Sequence, residues 1–132
     1  MSTVEHPRAE GLLANPAFSQ VVVATGKRMI YTAGQVSLTR GRLVGADDLA
    51  AQTTQAMHNV GLALAAAGGS FANIVKITTY VVNYQPEHRT VIGKARAPFF
   101  EGGMPPASTL VGVAALALPE WLVEIEAIAV TD

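Results

Sequence analysis

Cysteine is absent from this 132-residue chain. That absence removes disulfide frameworks, thiolate-ligated zinc, iron–sulfur clusters and thiol catalysis. Charge is scarce as well: 14% of the residues are Asp, Glu, Lys or Arg, against roughly 25% in an average soluble domain. A small monomer covers its surface with charge, so the shortage predicts that part of this surface faces another subunit. Neither sign dominates, with nine Lys plus Arg, ten Asp plus Glu and a net charge of −1. No like-charge run is longer than the pairs Lys27-Arg28 and Asp47-Asp48. A nucleic-acid binder carries a clustered basic footprint, and without one no nucleic-acid partner is expected. Long apolar runs are missing too. Met1 to Glu10 lacks the apolar core of a secretory signal, and Leu62 to Ala67 falls far short of the ~20 residues that span a bilayer. The expectation is a cytoplasmic protein with no membrane partner.

What is present fits one domain over residues 1–132, large enough to bury roughly two-thirds of its unfolded surface without a staple. Ser19 to Ala24 and Met29 to Ala33 are β-branched runs around Thr25-Gly26-Lys27-Arg28, which predicts a hairpin. Gly41 to Gly45 is a short strand or a connection. Asp47 is a candidate N-cap for a helix whose apolar positions recur from Leu49 to Ala67, and Gly68-Gly69 stops it. Asn73 to Val82 has the β-rich pattern of a central strand. A second helix is predicted from Glu87 to Phe100, with Arg89, Lys94 and Arg96 on its solvated side and Pro98 as an obstacle. Ala107 to Ala114 and Leu122 to Val130 form the last two strands. This order predicts an α+β sandwich, a mixed six-stranded sheet with two helices on one face. The other face has no cover within the chain, so association through the sheet is expected.

Few residues offer chemistry. Glu124 and Glu126 share one side of the last strand by alternation, together with Ile128 and Val130 on the uncovered face. Carboxylates there are either a solvated or salt-bridged strand end, or acid–base groups made by burial at an interface. His58 and His88 read as surface or helix-packing residues, because neither has a second ligand at metal-binding spacing. Ser19 and Ser108 lack a partnering histidine in the pattern, so a Ser-His-Asp hydrolase is not expected. Neither a metal nor a cofactor is expected.

Several short motifs occur in an order that resembles the RidA/YjgF family of small trimeric proteins, which includes enamine/imine deaminases. They are Phe18-Ser19-Gln20, Tyr31-Thr32-Ala33-Gly34-Gln35, Gln52 with Asn59, Ala66-Ala67-Gly68, Ile74-Val75-Lys76, Phe99-Phe100, Pro106-Ala107 and Glu124-Ile125-Glu126-Ala127-Ile128-Ala129. The resemblance covers about residues 16–130 and implies a chorismate-mutase-like fold, a homotrimer and a small-molecule cleft between subunits. It implies that Glu124 is catalytic and orients the attacking water. Phe18, Ala33 and Gly34 would contact substrate, with Ser108, Thr109 and Leu110 after Pro106-Ala107.

The chain departs from the deaminase pattern at that last place. Ser108 stands where deaminating members carry the arginine that binds the substrate carboxylate, and Leu110 stands where many have cysteine. Arginine suits bidentate carboxylate recognition and serine does not replace it. The expectation is therefore a water-activating hydrolase on a small imine, enamine or related substrate, but a poor deaminase for imines of ordinary amino acids. The alternative is a trimer that binds a small metabolite without turnover or acts as a chaperone.

Overall fold

The computed structural model describes all 132 residues. Its strands are β1 (Thr3–Glu5), β2 (Val23–Thr25), β3 (Arg28–Tyr31), β4 (Leu38–Thr39), β5 (Arg42–Leu43), β6 (Ile74–Val82), β7 (Ala107–Val113) and β8 (Val123–Thr131). The helices are α1 (Leu49–Ala66) and α2 (His88–Arg96). The main sheet has the order β3-β8-β6-β7, with β6 and β7 parallel and the other pairs antiparallel. A parallel pair needs a long crossover, and α2 lies in the connection between β6 and β7. The sandwich is the α+β arrangement expected, but its main sheet has four strands rather than six. The remaining strands form two separate ribbons, β1-β2 and β4-β5.

Helix α1 begins where Asp48 Oδ1 accepts from the Ala51 N–H at 3.0 Å. The N-cap is Asp48 and not Asp47, because a cap residue needs extended backbone. Asp48 has it (φ −121°), whereas Asp47 is left-handed at φ +58°. At the other end Gly68 takes φ +78°, its N–H reaching the Ala65 carbonyl and that of Gly69 the Leu64 carbonyl. This paired arrangement satisfies the last carbonyls of the helix. Between these ends Gln52, Thr53, Ala56, Met57, Val60 and Leu64 form one buried stripe. It packs on Ile77 and Val81 of β6 and on Val123, Ile125, Ala127 and Ala129 of β8.

Two polar residues of α1 secure the irregular segments around it. Buried Gln52 donates to the Gly45 and Glu120 carbonyls and accepts from the Leu122 N–H. Asn59 donates to the Val36 and Leu38 carbonyls. Each ties irregular backbone to the helix; the Gly45 and Val36 carbonyls also accept from the Asp48 and Leu38 N–H groups.

Other boundaries differ from expectation for local reasons. The predicted hairpin is absent: β2 pairs with β1, while β3 pairs with β8. The turn at Gly26 carries the chain from the ribbon to the sheet. A Cβ there would lie 2.5 Å from the Thr131 carbonyl oxygen and 2.6 Å from Val130 Cγ1. That turn covers Val130, which is buried rather than open. Asn73 belongs to a 3-10 turn, Phe71–Asn73, before β6 begins. The second helix stops as an α-helix at Arg96 and continues as a 3-10 turn, Ala97–Phe100, with Pro98 in its first positions. There the missing N–H of proline costs no internal bond.

Candidate active site

Alternation along β8 sets the first group of site residues. Val123 and Ile125 are fully buried under the helices, so Glu124 and Glu126 point to the opposite, open face of the sheet. Tyr80 stands opposite Glu124, and Thr78 opposite Glu126. The two carboxylates differ in their surroundings. The Tyr80 hydroxyl donates to Glu126 Oε1 at 2.8 Å. Holding that carboxylate's hydrogen bond raises the Tyr80 phenol above its ordinary value, with burial and the Glu126 and Glu124 charges adding to the effect. Glu124 receives no such bond from its own chain.

Glu124 is flanked by a break in the β3 edge. Thr32 N–H donates to the Ala127 carbonyl, and Gln35 exchanges both backbone bonds with Ile125. Ala33 and Gly34 therefore oppose one residue, Glu126, and form a bulge of the kind found beside active sites. Their N–H groups make no bond within the chain and both residues are exposed. A Cβ on Gly34 would overlap the Glu124 carboxyl group. Glycine at this position is what lets the carboxylate lie against the bulge.

The second group lies on the other side of the sheet. Ser108 is in register with Ile77, and Leu110 with Thr79. Both of those β6 residues are fully buried under the helices. Ser108 and Leu110 face the same way and line a cavity of about 490 Å³ between β7, α2 and the segment Asn15–Phe18. Phe18 lines it as well, so three of the expected substrate contacts come together here. The segment is fastened by Ser19, whose N–H reaches the Pro106 carbonyl and whose hydroxyl donates to the Pro105 carbonyl at 2.6 Å. Ser19 does meet a histidine, His6 Nδ1 at 2.8 Å. Its single proton already goes to Pro105, so His6 donates to Oγ and the pair is a clasp rather than an activated nucleophile.

Arg96 corrects the sequence reading most. It was expected in solvent, but it is 9% exposed, and its Nη1 donates to Ser108 Oγ at 3.2 Å. The α2 and 3-10 residues lining the cavity are Arg89, Ile92, Gly93, Arg96, Ala97 and Phe100. That is an i, i+3, i+4, i+7, i+8, i+11 stripe, one face of a helix. Position, not charge, decides the side, and Lys94, off this stripe, is exposed. Burial lowers the Arg96 pKa to about 10, which leaves it cationic at neutral pH.

Thr109 does not join the cavity. It lies on the open face and accepts from Lys76 Nζ at 2.5 Å. His58 packs edge-on against Phe99, and His88 Nδ1 accepts from the Gln85 N–H at the start of α2. No group of three or more His, Asp or Glu side chains converges into a metal-ligand set. Glu124, Ala33 and Gly34 are thus separated from Phe18, Ser108 and Leu110 by the sheet itself. One chain presents two separate groups of candidate residues.

A family model described as Endoribonuclease L-PSP matches residues 9–131. The chain belongs to the RidA/YjgF family. Among the relatives of this Rid-family protein is a rat 2-iminobutanoate/2-iminopropanoate deaminase, 36% identical over 98% of this chain and 88% of that protein. The crystal structure of YyfB, a conserved Rid protein of Yersinia pestis, superposes with a TM-score of 0.91 at 40% identity. It covers 96% of this chain and 98% of that one. Escherichia coli TdcF with bound serine gives a TM-score of 0.71 at 28% identity, covering 98% of each chain. The chorismate-mutase-like α+β fold expected from the motifs is that of these neighbours. As for the membrane, no helix here is long and apolar enough to cross one.

Proposed function

We propose that this protein hydrolyses a small imine, enamine or related substrate in a cleft shared between subunits of a homotrimer. The single observation that carries the reading is Glu124: a carboxylate without an internal partner, set against a glycine bulge with free N–H groups. A carboxylate so placed can take a proton from water as the water oxygen attacks an imine carbon. It returns that proton to nitrogen to give a carbinolamine, then passes the carbinolamine's hydroxyl proton to nitrogen as the C–N bond breaks, giving a carbonyl compound and ammonia or an amine. The free N–H groups of Ala33 and Gly34 can hold an oxygen or nitrogen lone pair of the reacting group. The rat relative named as an imine deaminase supports this reaction class.

Sharing between subunits is supported by the two half-sites on opposite sides of one sheet. It is also supported by large apolar side chains left open on the Glu124 face: Met29 is 58% exposed and Tyr31 67%. Covering them requires another chain. Light scattering in solution is expected to give about three times the 13.8 kDa chain mass. A folded monomer at micromolar concentration would contradict the shared cleft. The family model's description as an endoribonuclease has less support here, since the chain has no basic cluster for a polyanion.

A further inference from the structure

Arg96 is a buried cation without an anion. A buried charge is strongly disfavoured unless it is paired or neutralised, yet no carboxylate lines the cavity beside it. The chain's one ion pair is far away, between the N-terminus and Asp132. Of the five N–H donors of the guanidinium, one reaches a protein acceptor, Ser108 Oγ. The Nε proton is buried with no partner at all. Phe100 lies 5.9 Å from Cζ and presents a ring rather than a charge. A second arginine, Arg89, lines the same cavity from one helical face, and Phe18 and Leu110 supply apolar wall.

We propose that Arg96, carried on α2, is the carboxylate-binding residue of this protein, and that its cavity takes a small carboxylate with a short apolar body. Ser108 is then not a lost clamp. Its small side chain leaves the space that a β7 arginine would fill, and its hydroxyl holds Nη1 of the guanidinium, leaving the other terminal N–H groups for the ligand. A planar fork of this kind suits a bidentate carboxylate. The volume of about 490 Å³ lies within the usual range for small-molecule sites. The inference deepens the proposed function by naming the substrate class, and it reverses the expectation that acidic imines are poor substrates.

The test is calorimetric titration of the whole protein with 2-oxobutanoate, an imine-hydrolysis product type, and with 2-oxobutanamide, its neutral counterpart. The acid is expected to bind and the amide to bind far more weakly. Arg96→Met is expected to weaken acid binding about 10- to 150-fold, the value of a hydrogen bond to a charged group. Without ligand, the same variant is expected to unfold no lower than wild type, since it removes an unpaired buried charge. Should Arg96→Met not fold, Arg96→Lys keeps the charge, loses the fork and is expected to bind the acid several-fold more weakly. Wild type that does not distinguish acid from amide would overturn the inference. So would either variant binding the acid as wild type does. The two proposals fail separately: acid binding through Arg96 with no imine hydrolysis by wild type removes the catalytic reading and leaves this one standing.

Discussion

Replacing Glu124 by Gln is expected to lower kcat/KM for imine hydrolysis by roughly 10²- to 10⁴-fold, the usual contribution of a positioned acid–base group. The amide keeps the shape and cannot accept the proton. Binding of 2-oxobutanoate is expected to survive, because the ligand's anchor lies in the other half-site. Glu126→Gln supplies the comparison. Its carboxylate already accepts from Tyr80, so the loss there is expected to be far smaller. The imine is generated in situ with an amino-acid oxidase and its disappearance followed. A Glu124→Gln protein as active as wild type would remove this carboxylate from the reaction.

Gly34→Val is expected to cost a similar order of activity by a different route. Any Cβ at this position overlaps the Glu124 carboxyl, so the acid must move, and misplacement by about 1 Å can cost 10²-fold. Stability is expected to change little. Gly34 is exposed, and its backbone is outside the left-handed region that demands glycine. The diagnostic result is a fall in kcat/KM with an unchanged unfolding temperature. If activity and unfolding temperature fall together, the bulge matters for the fold and not for the position of Glu124.

The elements legible in the sequence were those whose pattern lies within one segment. The α1 stripe from Leu49 to Ala67, the β-rich run of β6 and the Glu124/Glu126 side of β8 are all local patterns, and the structure keeps them. Pairing between distant segments was not legible. The three residues Thr3–Glu5 carry no pattern of their own, so nothing local announced that β2 would pair with them instead of β3. Val130 was assigned to the open face by alternation alone, and its cover comes from the turn at Gly26.

Arg96 was missed for another reason. Its charge suggests solvent, while its spacing from Ile92 places it on the buried face of α2. Helical period was the better guide. The separation of Ser108 from Glu124 was legible only in part. Each strand's alternation is visible alone, but the relative facing of β7 and β8 depends on their registers with β6.

Complementation between chains tests the shared site most directly. Glu124→Gln removes the acid from one half-site, and Ser108→Trp fills the cavity of the other. Each protein alone is expected to be inactive. Unfolding and refolding an equal mixture produces oligomers in which some clefts combine an intact Glu124 from one chain with an intact cavity from its neighbour. Random mixing makes roughly a quarter of the clefts complete, so activity is expected to return to about that fraction of wild type. A mixture no more active than its separate components, with mixed oligomers shown by mass, would contradict a site built from two chains.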